Sequence, residues 1–518
     1  MKRLFVFFLA LSLLFAGCSS QEPTVEDAQI HEGTQIKLSD DQITVDGKQI
    51  TNDSTQAVYA ARDIVFYLAG QDFTYGEGET KDEHTQEQAD AHTVVHITKP
   101  GRYILTGQLS LGQIAVDLGE DAQTNPEAVV TLILNDVDIT CRVAPAVIFY
   151  NVYECCSNDE ETATKDVDTK NAGANVIIAD GTENNINGAY VAKIYKTYQL
   201  SDDGTQVIDS KKLHKYDGAF YSRQTLNIDG GEKGSGVLNI YAENEGLDSE
   251  LHLTINGGTI NITSGNDGIN TNEDNVSVTT VNDGTVNILC NGTTGEGDGI
   301  DSNGWLVING GHVNAQACAT SGDAGIDSDK GIYINGGNVI ASGNMLDRIA
   351  GGNQTYAVFQ FANRQNGGST YTLKNSEGKT IRQYTPTNAF TYLIIAGAEL
   401  TPGDHTLWQD QIQLSGMQGG MPQGERPQMP NFQPDQMPEP PEGMETPEKP
   451  NGDRQNFPDG ERPEMPDGQR PQRPENMTPP ANPGNMKEEN RIPNAETSTT
   501  FSLVKGANQF ANVGPAAE

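Results

Sequence analysis

Between residues 226 and 340 the apolar and polar positions recur on a fixed period. An apolar residue, an Asn or Asp and a glycine turn follow one another at Ile228-Asp229-Gly230-Gly231, Ile255-Asn256-Gly257-Gly258, Val281-Asn282-Asp283-Gly284, Ile308-Asn309-Gly310-Gly311 and Ile334-Asn335-Gly336-Gly337. The closing glycines are 27, 26, 27 and 26 residues apart. After each turn comes a second column, Asn239, Asn261, Asn287 and Asn314, flanked by pairs such as Ile260/Ile262 and Val286/Ile288. Apolar residues alternating with one polar residue mark a strand. Short strands and glycine corners on a constant period mark a solenoid, whose coils bury their apolar faces only by stacking. The length fits one coil of a parallel β-helix with three short strands per turn. Glycine supplies the positive φ at the corners. Inward-facing Asn side chains are expected to bond along the axis in ladders.

Less regular coils are expected upstream. Residues 99–107 read as a turn and a strand, and 130–139 and 174–179 as further strands. Residues 154–173 read as a loop, and 58–68 as either a strand or a short helix. Strands near 371–373, 390–396 and 406–414 close the body. From 416 to 495 the chain holds 18 of its 25 Pro and 8 of its 10 Met, with only Phe432 and Phe457 as aromatics. Such a segment cannot bury enough apolar surface to order itself. Order-like sequence returns at 500–513 as a last strand.

A second repeated column carries the chemistry. Glu245-Gly246-Leu247-Asp248-Ser249-Glu250, Asp267-Gly268-Ile269-Asn270-Thr271-Asn272, Asp298-Gly299-Ile300-Asp301-Ser302-Asn303 and Ala324-Gly325-Ile326-Asp327-Ser328-Asp329 align, with Asp323 just ahead of the last. With Leu247, Ile269, Ile300 and Ile326 inward, alternation turns Asp248, Asn270, Asp301 and Asp327 outward. Stacked coils lie about 4.8 Å apart, and two carboxylates at that spacing repel by about 3–4 kcal/mol at an effective dielectric of about 20. Oxygen ligands so placed suit Ca²⁺ better than Mg²⁺, which holds its water and demands an octahedron. The metal set is Asp248, Glu250, Asp267, Asn270, Asp298, Asp301, Asp323, Asp327 and Asp329. The bland reading is a solvated acidic face whose Asp and Asn only shape turns. Trp305 and Asn303, outward by the same parity, are candidates to stack on and bond a sugar.

Charge narrows the partners. Lys and Arg number 33 against 71 Asp and Glu, a net charge of 33 − 71 = −38. Nucleic acid needs clustered cations and is not expected. Of the six cysteines, Cys141, Cys155, Cys156, Cys290 and Cys318 are irregularly spaced with no C-x-x-C pair, and read as buried thiols rather than a zinc site.

The chain begins with a basic tripeptide and a short apolar run, Leu4 to Phe15. This is too short to span a bilayer and fits a signal peptide. Phe15-Ala16-Gly17-Cys18 resembles a bacterial lipobox, which implies lipidation of Cys18 and an extracellular, membrane-anchored product. The expected organisation is a signal peptide at 1–17, a tether at 18–34, the β-helix at 35–415, a disordered segment at 416–495 and a strand region at 496–518, in a monomer.

Leu253 to Ile262, Gly265 to Asn270, Gly297 to Asn303, Gly107-Gln108-Leu109 and Ala144 to Tyr150 resemble a bacterial carbohydrate-binding family. The resemblance covers roughly residues 35–415. It implies a right-handed, single-stranded parallel β-helix similar to pectate lyases, several calcium ions, and binding of plant cell-wall polysaccharide such as polygalacturonate or cellulose. Bound Ca²⁺ could bridge protein carboxylates to uronates. Two other readings stay open. One is a calcium-dependent polysaccharide lyase with Lys330 or Arg348 as base. The other is a surface scaffold or adhesin.

Overall fold

A computed structural model describes residues 32–419 and 497–516. Nearly all regular structure there is β. The repeat folds into three stacks of parallel strands, which the chain visits in turn. One circuit runs through Ile300–Ser302, Trp305–Ile308 and His312–Gln316. In the stack containing Trp305, Leu226 lies opposite Leu253, Leu253 opposite Thr279, Thr279 opposite Leu306, and Leu306 opposite Ile332. These pairings reproduce the 26- and 27-residue steps of the sequence. In the next stack Asn239, Asn261, Asn287 and Asn314 pair in succession.

The inward rows form one continuous core. Ile228, Ile255, Val281, Ile308 and Ile334 have no exposed surface, and neither do Leu247, Ile269, Ile300 and Ile326. Each such side chain contributes up to about 1.5–3 kcal/mol of apolar burial. The corner glycines Gly231, Gly258, Gly284, Gly311 and Gly337 have φ between 71° and 89°, which a side chain at these corners would strain.

The asparagine columns do form ladders, but on the outer face. Asn261 donates to Asn239 and Asn287 to Asn261, each at 2.9 Å. Both are half-buried while their neighbours Ile260 and Ile262 fill the interior. The expectation of inward Asn is corrected: the flanking aliphatics take the inward parity and leave the amide outside. A second ladder runs along the corner, Asn282 to Asn256, Asn309 to Asn282 and Asn335 to Asn309, at 2.8–2.9 Å. Asn282→Ala removes two of these bonds. It is expected to cost about 1 kcal/mol, the usual net worth of one or two part-exposed hydrogen bonds, measured by urea unfolding.

The ends and covers differ from the repeat. Val58–Ala61 is a strand, antiparallel to Thr93–Ile97, at the start of the third stack, so the open choice at 58–68 falls to strand for its first four residues, while 62–67 hold neither strand nor helix. Asn338–Gly343 turns the sheet antiparallel by pairing with Phe390–Ala396. Beyond it a second core gathers Phe359, Phe390, Leu407, Phe501 and Phe510. There the strand Ala507–Pro515 lies parallel beside Tyr356–Gln365 and antiparallel to Ile412–Gln418. Residues 152–173 hold neither helix nor strand and lie over the outside of the Trp305 stack, where the Thr169 and Thr254 hydroxyls meet at 2.8 Å. A long antiparallel hairpin, Val191–Leu200 with Val207–Tyr216, interrupts the coil ahead of Gly218–Ser222. No described helix is long and apolar enough to cross a membrane. The signal peptide, Cys18, most of the tether and nearly all of 416–495 lie outside the described residues.

Candidate functional site

The third stack carries the acids. Gly218–Ser222, Glu245–Ser249, Ile269–Thr271 and Ile300–Ser302 pair in parallel, placing Asp248 beside Asn270 and Asn270 beside Asp301. Ser249, Thr271 and Ser302 on the same strands face the interior, and their hydroxyls bond to turn carbonyls or to one another. The glycines before the inward residues are needed for space. A Cβ on Gly268 would stand 2.1 Å from Ile288 Cγ2 and 2.6 Å from the Gly299 carbonyl. This close approach brings the preceding acid column, Glu245, Asp267 and Asp298, alongside the Asp248 column.

The acids fall into two groups. In the first, the carboxylates of Asp217, Glu245 and Asp248 offer oxygens all within 4.8 Å of one another. Asp248 is fully closed to solvent and Glu245 nearly so, which corrects the expectation of a solvent-facing row. The cover is the 191–216 hairpin, whose Lys215 lies 3.1 Å from Asp217 and whose Lys212 lies 3.4 Å from Glu250. Asn270 Nδ2 donates to Glu245 Oε1 at 3.0 Å, and Asn272 Nδ2 to Asp248 Oδ1 at 2.6 Å. Glu245 Oε2, Asp248 Oδ2 and Asn270 Oδ1 are buried without a hydrogen-bond partner. Three carboxylates and Lys215 leave −3 + 1 = −2. Buried charge of that size is costly unless neutralised. Burial, then the neighbouring Asp217, drives Glu245 well above the usual carboxylate range. Burial, then Glu245 and Glu250, does the same to Asp248. An all-oxygen set with three orphaned oxygens and two surplus charges fits one hard divalent cation.

The second group continues along the stack. The Asp298 N–H donates to Asp267 at 2.7 Å, the Ala324 N–H to Asp298 at 2.5 Å and the Gly297 N–H to Asp323 at 2.5 Å. Each of these carboxylates is thus pinned by backbone, leaving oxygen lone pairs for a ligand. Burial and then Asp298 and Asp301 push Asp267 far up. Burial and Asp327 push Asp298 to about 9, burial and Asp329 push Asp301 to about 6, and burial and Asp347 push Asp327 to about 7. Asp301, Asp323 and Asp327 are half-buried and Asp329 is exposed.

The structure therefore brings together Asp248 and Asn270 in one group and Asp267, Asp298, Asp301, Asp323, Asp327 and Asp329 in the next. Glu250 is near Asp248 but outside the close trio: it accepts from Tyr221 at 2.8 Å and pairs with Lys212. Trp305 is half-buried, with the Lys330 ammonium 5.6 Å from its ring centre, so one face is already engaged. Asn303 donates to Asn272 O at 3.0 Å and Asp274 Oδ1 at 2.9 Å, within the protein. Arg348 donates to the Lys330 carbonyl at 2.8 Å, beside the C-terminal end of the acid row. Cys141, Cys290 and Cys318 are buried thiols; Cys155 and Cys156 are half-buried, also free, with sulfurs 3.3 Å apart.

Sequence reasoning left Asp217, Glu245 and Asp347 out of the set. Glu245 and Asp217 each precede a glycine, as Asp267 and Asp298 do, and that dipeptide was the available signal. Lys215 reaches the row through Asp217, two residues on in the chain.

Residues 91–401 match a family model described as carbohydrate-binding domain-containing protein. The chain belongs to this family. The match spans the strands that carry both acid groups and the hairpin that covers the first, so this carbohydrate-binding domain contains the whole candidate site. No curated protein and no solved structure matches the chain at a significant level.

Proposed function

We propose that this carbohydrate-binding chain captures acidic or plant-type polysaccharide outside the cell, as a lipoprotein anchored through Cys18, on a right-handed parallel β-helix held together by calcium. The observation that carries the metal reading is the trio of orphaned buried oxygens on Glu245, Asp248 and Asn270, set among three carboxylates. Asp217, Glu245, Asp248 and Asn270 would hold one ion, and Asp267, Asp298, Asp301, Asp323, Asp327 and Asp329 further ones. When bound, Ca²⁺ supplies positive charge that lets neighbouring coils keep their carboxylates ionised. Because Asp248 and Glu245 are closed to solvent, an ion among them ties coils together rather than bridging to a uronate. A bridging role fits only the half-buried end around Asp301 and Asp327.

The test is retention of the soluble chain, begun after Cys18, on immobilised polygalacturonate and on cellulose. Retention on either matrix is expected, with weakening after EDTA as the fold loosens. Passage through both matrices, with and without calcium, would refute polysaccharide capture. Following the absorbance of unsaturated product in the same incubation separates capture from lyase chemistry at Lys330 or Arg348: capture predicts a flat trace.

A further inference from the structure

The covered acid row raises the question of what surface meets the glycan. The hairpin that closes over Asp248 also walls a cavity of about 770 Å³, within the usual range of about 300–1,000 Å³ for ligand sites. Lys196, Lys211, Lys212, Lys215 and Arg223 line it, on a chain of net charge −38. Tyr216 and Tyr221 lie behind its wall, buried, with their rings 5.0 Å apart.

Four carboxylates also line the cavity, and two are engaged in its wall. Glu154 accepts from the Thr225 N–H, the Thr225 hydroxyl and the Cys156 N–H, each at 2.8 Å. Glu250 is taken by Tyr221 and Lys212. Lys215 is turned to Asp217. That leaves Glu120 and Glu273, neither of them in an ion pair among the described residues, against three exposed cations, Lys196, Lys211 and Arg223. Among the described residues no carboxylate lies within ion-pair distance of these three; Arg223 makes only a 3.3 Å contact with the Asn151 side chain. Exposed cations gathered in one cavity suit a ligand that carries a carboxylate.

We propose that this cavity beneath the 191–216 hairpin binds a carboxylated saccharide directly, through Lys196, Lys211 and Arg223, without a bridging metal. The inference rests on the carbohydrate-binding reading and gives it a place and a ligand charge. The binding is charge-assisted, so it weakens with salt and depends on the uronate carboxylate.

Titration calorimetry of the soluble chain, begun after Cys18, with trigalacturonate, and with its neutral carboxyl-reduced counterpart, tests this in calcium-containing buffer. Trigalacturonate is expected to bind at least tenfold tighter than the neutral trimer. Lys196→Glu/Lys211→Glu should weaken it by tenfold or more. Lys196→Gln/Lys211→Gln, which disturbs the hairpin less, should weaken it severalfold. Lys379→Glu, in the exposed turn after Tyr371–Asn375, should leave it unchanged. Equal affinity for the two trimers, or unaltered affinity in both double variants, overturns the proposal. If the wild-type chain is retained on cellulose while either of those results holds, this cavity fails as the site but polysaccharide capture stands. If it binds neither trimer nor matrix, both fall.

Discussion

EDTA is expected to lower the melting temperature of the soluble chain, and to lower it more at pH 9 than at pH 5. The cause is the carboxylate row. Without a cation, Asp298, Asp301 and Asp327 have their midpoints raised from an ordinary 3.8 to about 9, 6 and 7. A carboxyl whose folded-state value is raised takes up a proton on folding. Its contribution is fully present below pH 4 and is lost as pH climbs through the raised values. These three groups therefore withdraw stability from the metal-free fold between about pH 4 and pH 9 as they ionise against one another. On the proposed function calcium would reverse the slope's cause, because the ionised row would become its ligand set. At a free concentration 1,000 times Kd the ion adds about 4 kcal/mol. At about 2 °C per kcal/mol, the lower end for large domains, the calcium-loaded chain should melt roughly 8 °C above the EDTA-treated one near neutral pH. Calorimetric scans across pH with calcium or EDTA read this directly. Superimposable melting curves at every pH would remove the cation from the account.

Gly268→Ala should destabilise the body by about 3 kcal/mol, a large effect for one methyl group. The added Cβ would stand 2.1 Å from Ile288 Cγ2 and 2.6 Å from the Gly299 carbonyl oxygen. The second contact is with backbone of the next coil, so rotation of a side chain cannot relieve it. Overpacking of this kind typically costs about 1–3 kcal/mol, and more where backbone must shift. Displacing that strand also moves Asp267 and Asn270, so the variant should lose part of the calcium-dependent rise in melting temperature. Denaturant titration with and without calcium checks both effects. A shift within about 0.5 kcal/mol, the range of neutral surface changes, would show that the coils are looser than these contacts require.

Much of the stacking was legible because a repeat of constant period writes its register into the sequence. The glycine corners fixed the period, and the Leu253–Thr279–Leu306–Ile332 pairings follow it residue for residue. The neighbouring positions of Asp248, Asn270 and Asp301 follow from the same period. What the period cannot convey is what lies over a strand. Two insertions, 152–173 and the 191–216 hairpin, fold back onto outer faces, so outward residues such as Asn227, Asp248 and Thr254 end up buried. The first acid group was half hidden for another reason. Tyr221, not an acid, stands opposite Asp248, and Asp217 sits one position earlier than the repeat would place it, since Gly218 lies opposite Glu245. The parity of the asparagine columns was misjudged because an amide ladder satisfies itself equally well inside or outside. The flanking Ile and Val decide which, and their complete burial puts Asn261 and Asn287 outside.

The most direct measurement is the metal content of the soluble chain after exhaustive dialysis into calcium-free buffer, by elemental analysis, for wild type and for Glu245→Gln/Asp248→Asn. Tightly held calcium at more than one ion per chain is the expected result, with one ion fewer in the double variant. A wild-type chain that emerges without any divalent metal, and takes up none when calcium is restored, would contradict the claim that cations complete the stacked acids.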